Sequence, residues 1–167
     1  MVSVRQSSVT ENAAHALLAE YFEARAATFP QVMGSYHTAF PKPEQFVPPA
    51  GLFLVVEDVD LAGEPADVGC GGIRNVTATD GGLVRFEVKH LWLQPHLRGR
   101  GLGRFLLTQL ETRAVELGAQ ELVLDTNASL TAAGGLYQSS GYVEIAPYND
   151  NPNATNWYGK RVALEHR

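Results

Sequence analysis

The stretch HLWLQPHLRGRGLGRFLLTQL, His90 to Leu110, constrains the fold more than any other part of the chain. An apolar run that reads as a strand meets Pro95. Three arginines and three glycines follow, and then the pattern turns helical. Leu102, Phe105, Leu106, Leu110, Ala114 and Leu117 fall on one helical stripe, and Gly118 is the stop signal. A strand that runs through a glycine-rich turn into a helix exposes backbone N–H groups at the helix start. Together with the dipole, those groups bind an anion. Glycine lets a bulky phosphate approach the backbone. Arg98, Arg100 and Arg104 would add charge-assisted contacts of roughly 1.5–3 kcal/mol each when well placed. The plain alternative is a helix N-terminus with solvated arginines.

The charge distribution narrows the ligand. The chain has 18 acidic and 13 basic residues, a net charge of −5, which opposes binding to nucleic acid or anionic lipid. Yet four Lys/Arg residues and no acid lie between Glu87 and Glu111. A basic island in an acidic protein suits a small anionic ligand. The Walker pattern GxxxxGK[ST] is absent, and Arg104 stands where the last glycine of GxGxxG would be. The histidines show no metal-binding spacing, so no metal is expected. The single cysteine, Cys70, excludes an internal disulfide framework and suggests a reducing compartment. No secretion-signal core opens the chain, and no apolar run reaches ~18 residues. The expectation is a cytoplasmic protein with no membrane partner, and residues 1–167 form one domain.

The flanking elements give an α/β reading. Residues 2–8 alternate as a strand. Ser8 with Glu11 resembles a capping box before a helix over Ala13–Ala27. Residues 30–50 hold five prolines together with Tyr36, His37 and Phe40: a functional loop or a flexible surface one. Strands are predicted at Leu52–Glu57, Ala66–Val76 and Leu83–Leu93, with turns at Gly63–Glu64–Pro65 and Asp80–Gly81–Gly82. After the Leu102–Leu117 helix come a strand at Glu121–Asp125, a helix at Leu130–Ser139, and strands at Tyr142–Ile145 and Lys160–Glu165. Antiparallel strands in front and β-α-β-α-β behind make a mixed sheet, α+β in character.

The pattern Arg98-x-x-Gly101-x-Gly103, after an apolar strand, resembles the pyrophosphate loop of the GNAT superfamily of acetyl-CoA-dependent N-acetyltransferases. LVLDTNASLTAAGGLYQSSGYVEI is similar to that superfamily's later motif, with Leu136–Tyr137 near a helix end and Gly141–Tyr142 opening a strand. FEVKHLWLQP, the proline-rich loop and YNDNPNATNWYGKRV resemble bacterial members, including acetyltransferase domains fused to MarR-type regulators. The resemblance spans roughly residues 50–165, and with no regulator domain it implies a stand-alone enzyme. It implies a splayed, mostly antiparallel sheet flanked by helices, with acetyl-CoA as acetyl donor in the gap. Leu91, Trp92 and Leu93 would pair with the pantetheine, and the loop Arg98, Gly99, Arg100, Gly101, Leu102, Gly103 and Arg104 would hold the pyrophosphate. The family's usual Asn–Pro is replaced by Leu130–Thr131, and Asn127 is the nearby candidate for the missing contact.

Chemistry needs a neutral amine, and an alkylamine of pKa ~10.4 is mostly protonated at neutral pH. Glu87, in its offset from Arg98, resembles the glutamate base of the histone-acetylating branch, acting directly or through water; its alternatives are an exposed strand glutamate or a salt-bridge partner. By the same resemblance Tyr137 is the general acid for the departing thiolate, against a buried core tyrosine. Tyr36, His37 and Arg74 are substrate candidates; Arg74 reads equally as a strand-end surface charge, the reading slightly preferred. Cys70 reads as a small buried residue. The acceptor expected is a small-molecule or amino-acid-like amine. The alternatives are a protein lysine or N-terminus, or a silent acyl-CoA-binding module. A homodimer stays open.

Overall fold

The computed structural model describes residues 1–78 and 82–162. The elements are β1 (Ser3–Gln6), α1 (Asn12–Ala27), β2 (Gly51–Val59), β3 (Pro65–Asn75), β4 (Arg85–Leu93), α2 (Leu102–Glu116), β5 (Glu121–Thr126), α3 (Thr131–Ser139), β6 (Val143–Ile145) and β7 (Asn156–Arg161). One seven-stranded sheet runs in the order β1-β2-β3-β4-β5-β7-β6. Every neighbouring pair is antiparallel except β4 and β5, which run parallel. This is the mixed α/β sheet expected, flanked by three helices.

β2 reads GLFLVV because it is buried on both faces. Leu52, Leu54 and Val56 pack with Leu106, Leu107, Leu110 and Ala114 of α2. Phe53 and Val55 pack on the other face with Ala14, Leu17, Leu18 and Phe22 of α1 and with Cys70 of β3. Each fully buried Leu or Phe contributes roughly 1.5–3 kcal/mol. The α2 stripe sits slightly off its expected line: Leu107 is buried, while Leu102 and Phe105 are only half-buried.

Two expectations need correction. The capping box does not form: Glu11 is the N-cap and makes no side-chain cap, while the Ser8 hydroxyl accepts the Thr10 N–H at 3.1 Å. Ser8 lies three residues before the cap and forms a local turn instead. The last strand is Asn156–Arg161, not Lys160–Glu165, because β7 is held in register by β5 on one side and β6 on the other. Positions 163–165 of that expected strand lie outside the described residues, as do Asp80 and Gly81 of the second turn. In the proline-rich segment, left open between a functional and a flexible surface loop, Phe46 in a short 3-10 turn is buried against Phe53. No helix among the described residues is long and apolar enough to cross a membrane.

The feature that positions everything else is where β4 and β5 part. They pair only from Arg85↔Glu121 to Glu87↔Val123. β4 continues to Leu93 against β3, and β5 continues to Thr126 against β7. The facing edges beyond Glu87 are unpaired, and a cleft opens between them.

Candidate active site

A bulge turns β4 into the cleft. Cys70 pairs with Trp92 but Gly72 pairs with Lys89, so Gly71 opposes two residues, His90 and Leu91. A Cβ on Gly71 would stand 2.9 Å from Leu110 Cδ1 of α2, so a side chain there would have to displace that leucine. His90 absorbs the extra residue with φ of 60°, among the described residues the one non-glycine position with positive φ. Its ring is packed edge-on by Tyr21 and Phe22, at 5.5 Å from each. Burial holds His90 down to a pKa of about 3, so it is neutral.

The cleft widens into a cavity of about 590 Å³ between β4, the arginine-glycine turn, α3 and the end of β5. Leu91, Trp92, Leu93, Arg98, Gly99, Gly101, Gly103 and Arg104 line it, as does Tyr137. Of the expected cofactor residues, Arg100, Leu102 and Asn127 are not on its wall. Arg100 points to solvent, and Leu102 packs against the core. Asn127 is buried and fully used: its amide donates to the Asn153 carbonyl at 3.1 Å and its oxygen accepts the Ser129 N–H at 3.0 Å. It staples two loops, and this position, off the cavity wall, does not favour Asn127 as the candidate for the missing family contact.

The arginines also behave differently from expectation. The Arg98 guanidinium donates to the Leu93 carbonyl at 2.9 and 3.1 Å and lies 4.9 Å from the Trp92 ring. Arg104 donates to Ser139 and Ser140 at the end of α3, where carbonyls attract a cation. Two of the three arginines thus fix the turn. The donors left free at the turn are backbone ones. Gly101, with φ of 78°, caps α2, and the N–H groups of residues 99–104 donate to nothing among the described residues.

Tyr137 projects from α3. Its ring packs near Tyr142 and Tyr158, but its hydroxyl has no hydrogen-bond partner among the described residues. Burial raises it to about 12, so it stays protonated at neutral pH. A neutral donor without a partner, on the wall of the cavity, is available to a ligand.

A second cavity of about 290 Å³ adjoins the first, and Tyr36, His37 and Arg74 all line it. Tyr21, Arg25, Lys89, His90 and Asp125 line both, so the cavities meet there. The roof is tied down: Asn153 accepts the His37 N–H at 2.9 Å and donates to the His37 carbonyl at 2.8 Å.

Glu87 is wholly buried one layer behind these walls. Arg74 Nε donates to one carboxylate oxygen at 2.9 Å; the Tyr148 hydroxyl donates to the other at 2.6 Å. Asn149 reaches that second oxygen at 3.5 Å and also donates to Asp125 at 2.8 Å. Asn151 donates to the other Asp125 oxygen at 3.1 Å. The loop 148–151 therefore clamps both carboxylates. Glu87 faces neither cavity, whereas Asp125 faces both. Cys70 is buried, and its thiol is pushed up by that burial, which fits a packing role. Among the described residues no group of three or more potential ligands is placed to hold a metal.

Sequence reasoning missed Tyr21, Arg25, His90 and Asp125. Arg25 sits in an ordinary helix-favouring run, and nothing local marks it. Asp125 was visible only as the end of a strand. The signal that was available for Asp125 is its place where β4 and β5 diverge, and that needs the topology.

The Acetyltransferase (GNAT) family pattern matches residues 13–142, more than half of the chain. An uncharacterized N-acetyltransferase of Schizosaccharomyces pombe is 32% identical over 108 residues, covering 65% of this chain and 61% of that protein. The chain spans less than two thirds of the length of the curated relatives it matches. A Klebsiella pneumoniae protein, provisionally an acyl-CoA N-acyltransferase, superposes with a TM-score of 0.69 at 27% identity, over 96% of this chain and 97% of that one. A Sinorhizobium meliloti phosphinothricin acetyltransferase of the GNAT superfamily, solved with acetyl-CoA, shares the fold at a TM-score of 0.63 and 15% identity, over 96% and 88% of the two chains.

Proposed function

The chain belongs to the GNAT acetyltransferase family, and we propose that it transfers an acetyl group from acetyl-CoA directly to the primary amine of a small or amino-acid-like molecule. The observation that carries this reading is a pair of unspent backbone segments on the wall of one cavity, which Tyr137 also lines. One is the β4 edge beyond Glu87, unpaired with β5; the other is the N–H groups of residues 99–104.

The residues fit the donor. The N–H groups of residues 99–104 suit a pyrophosphate, and the open peptide edge at Leu91–Leu93 suits the pantetheine amides. The thioester supplies an activated acetyl carbonyl. A β4 N–H near the bulge stabilises negative charge on the carbonyl oxygen, and it needs no reorganisation because the bulge fixes it. The acceptor enters through the second cavity, and its amine must lose a proton to attack. The Tyr137 phenol donates to the sulfur as the thiolate departs. Glu87, behind the walls, acts as base only through water, which carries the amine's proton to its carboxylate; Asp125 is the carboxylate that reaches the junction itself. Direct transfer is favoured over an acyl-cysteine because Cys70 is inaccessible.

The tied-down roof supports a small acceptor over a protein tail. The test is thiol release from acetyl-CoA with a panel of amines, amino acids and peptides, alongside calorimetric titration with CoA. CoA binding without turnover on any acceptor would make the chain a silent acyl-CoA-binding module.

A further inference from the structure

Two cations at the junction of the cavities have no carboxylate. Arg25 and Lys89 line both cavities, and neither forms an ion pair among the described residues. Arg25 is held in place by neutral partners. It donates to the Tyr21 hydroxyl at 2.9 Å, and its guanidinium carbon lies 5.5 and 5.8 Å from the Tyr21 and Tyr36 rings. Its other N–H donors are unspent. Lys89 is half-buried on β4 and donates to no acceptor among the described residues. Nearby Arg74 differs, because Glu87 neutralises it. Asp125 is the one carboxylate on either wall.

This is an odd place to send a bare alkylammonium. The lining is cationic in a protein of net charge −5. A molecule with a carboxylate beside its amine meets complementary charge at both ends. We propose that the acceptor is a small amine that also carries a carboxylate, with Arg25 and Lys89 binding the carboxylate and Asp125 receiving the amine. The inference rests on the N-acetyltransferase reading and adds the acceptor's class. A planar guanidinium fits a carboxylate through paired donors. The two cations also favour the uncharged amine that must attack. A cavity of about 290 Å³, walled in part by Phe22, Phe40 and Phe46, suits an acceptor with an apolar side chain.

The experiment compares kcat/KM for a series of L-amino acids, their carboxamides and the corresponding decarboxylated amines. The enzymes are the wild type and the Arg25→Gln and Lys89→Gln variants, singly and together. The wild type should prefer the acids by on the order of a hundredfold, as a site built for a polar group rejects analogues that lack it. The double variant should bring that ratio within about tenfold, through acceptor KM more than acetyl-CoA KM. The wild-type comparison needs no variant to fold. Equal use of carboxamides or decarboxylated amines overturns the inference and leaves N-acetyl transfer standing, as does activity confined to peptides or proteins. Variants that raise acetyl-CoA KM and keep the acid preference reassign both cations to the donor, which also overturns it. No acetylation of any series, with CoA still bound in calorimetry, defeats both readings.

Discussion

Replacing Tyr137 with phenylalanine separates packing from chemistry. The lost oxygen has no protein partner, and the ring contacts with Tyr142 and Tyr158, at centroid distances of 6.1 and 6.2 Å, are kept. The stability cost should therefore stay within about 0.5 kcal/mol, a melting shift of ~1–2 °C. The kinetic cost follows from the phenol's raised pKa, about 12, against ~8.5 for a thiol. Full proton transfer to the thiolate would be uphill by about 3.5 units, ~5 kcal/mol. The hydroxyl thus works mainly as a hydrogen-bond donor to the developing thiolate, as a donor in an oxyanion hole does. Losing such a donor costs ~10²–10³ in kcat. The assay is steady-state thiol release with an identified acceptor, with a thermal-shift measurement on the same preparations. Acetyl-CoA KM should move little. The wild-type rate should show no alkaline fall from this phenol below about pH 10. A loss in kcat under about fivefold at unchanged melting temperature refutes the donor role. A sharp melting drop would instead reveal a structural bond to the hydroxyl.

Other perturbations test other parts. Replacing Gly101 and Gly103 with leucine should weaken CoA binding in calorimetry at least tenfold, since Gly101 needs φ of 78° and a Cβ on Gly103 would already stand 3.4 Å from Leu136. Unchanged affinity in a folded variant would remove the turn from the site. Gly135→Ala should stabilise the protein by up to ~1 kcal/mol in urea titration, because nothing lies within 4 Å of the added methyl and alanine favours helix. Glu87→Gln should cost about 1–3 kcal/mol of stability by leaving Arg74 without its anion, and should lower turnover more than acetyl-CoA affinity. A variant with full turnover makes Glu87 purely structural. His90 has its folded pKa lowered to about 3 from an ordinary 6.5, so the unfolded chain binds more protons between those values. Its contribution is complete above pH ~6.5 and is lost as pH falls towards 3, at up to ~1.4 kcal/mol per pH unit. Urea midpoints for the wild type and His90→Asn should diverge between pH 7 and 4, and parallel curves would exclude the effect.

The strands and helices were legible because their signals are local. Apolar alternation, a helical stripe and glycine punctuation place all but the last strand within two residues of the observed ends. Tyr137 and the glycine turn were legible for the same reason: each lies inside one short motif. The acceptor side was not. Arg25, Lys89 and Asp125 come from α1, β4 and β5, and only the parting of β4 and β5 brings them together. The Glu87 clamp needs Arg74 on one side and Tyr148, 61 positions away, on the other. Asn127 shows the reverse failure: a residue of suitable type near the right place, already committed to Asn153.

The unpaired length of β4 has a consequence for solubility. A strand with free N–H and C=O groups is a template for another chain's strand, and outer edges of this kind drive aggregation. Here the free edge lies in the middle of the sheet order, between β3 and β5, and α3 and the arginine-glycine turn wall it in. A slender ligand can reach it, but a folded neighbour's sheet cannot. The protein thus keeps a strand's worth of adhesive backbone ready for use while hiding it from other copies of itself.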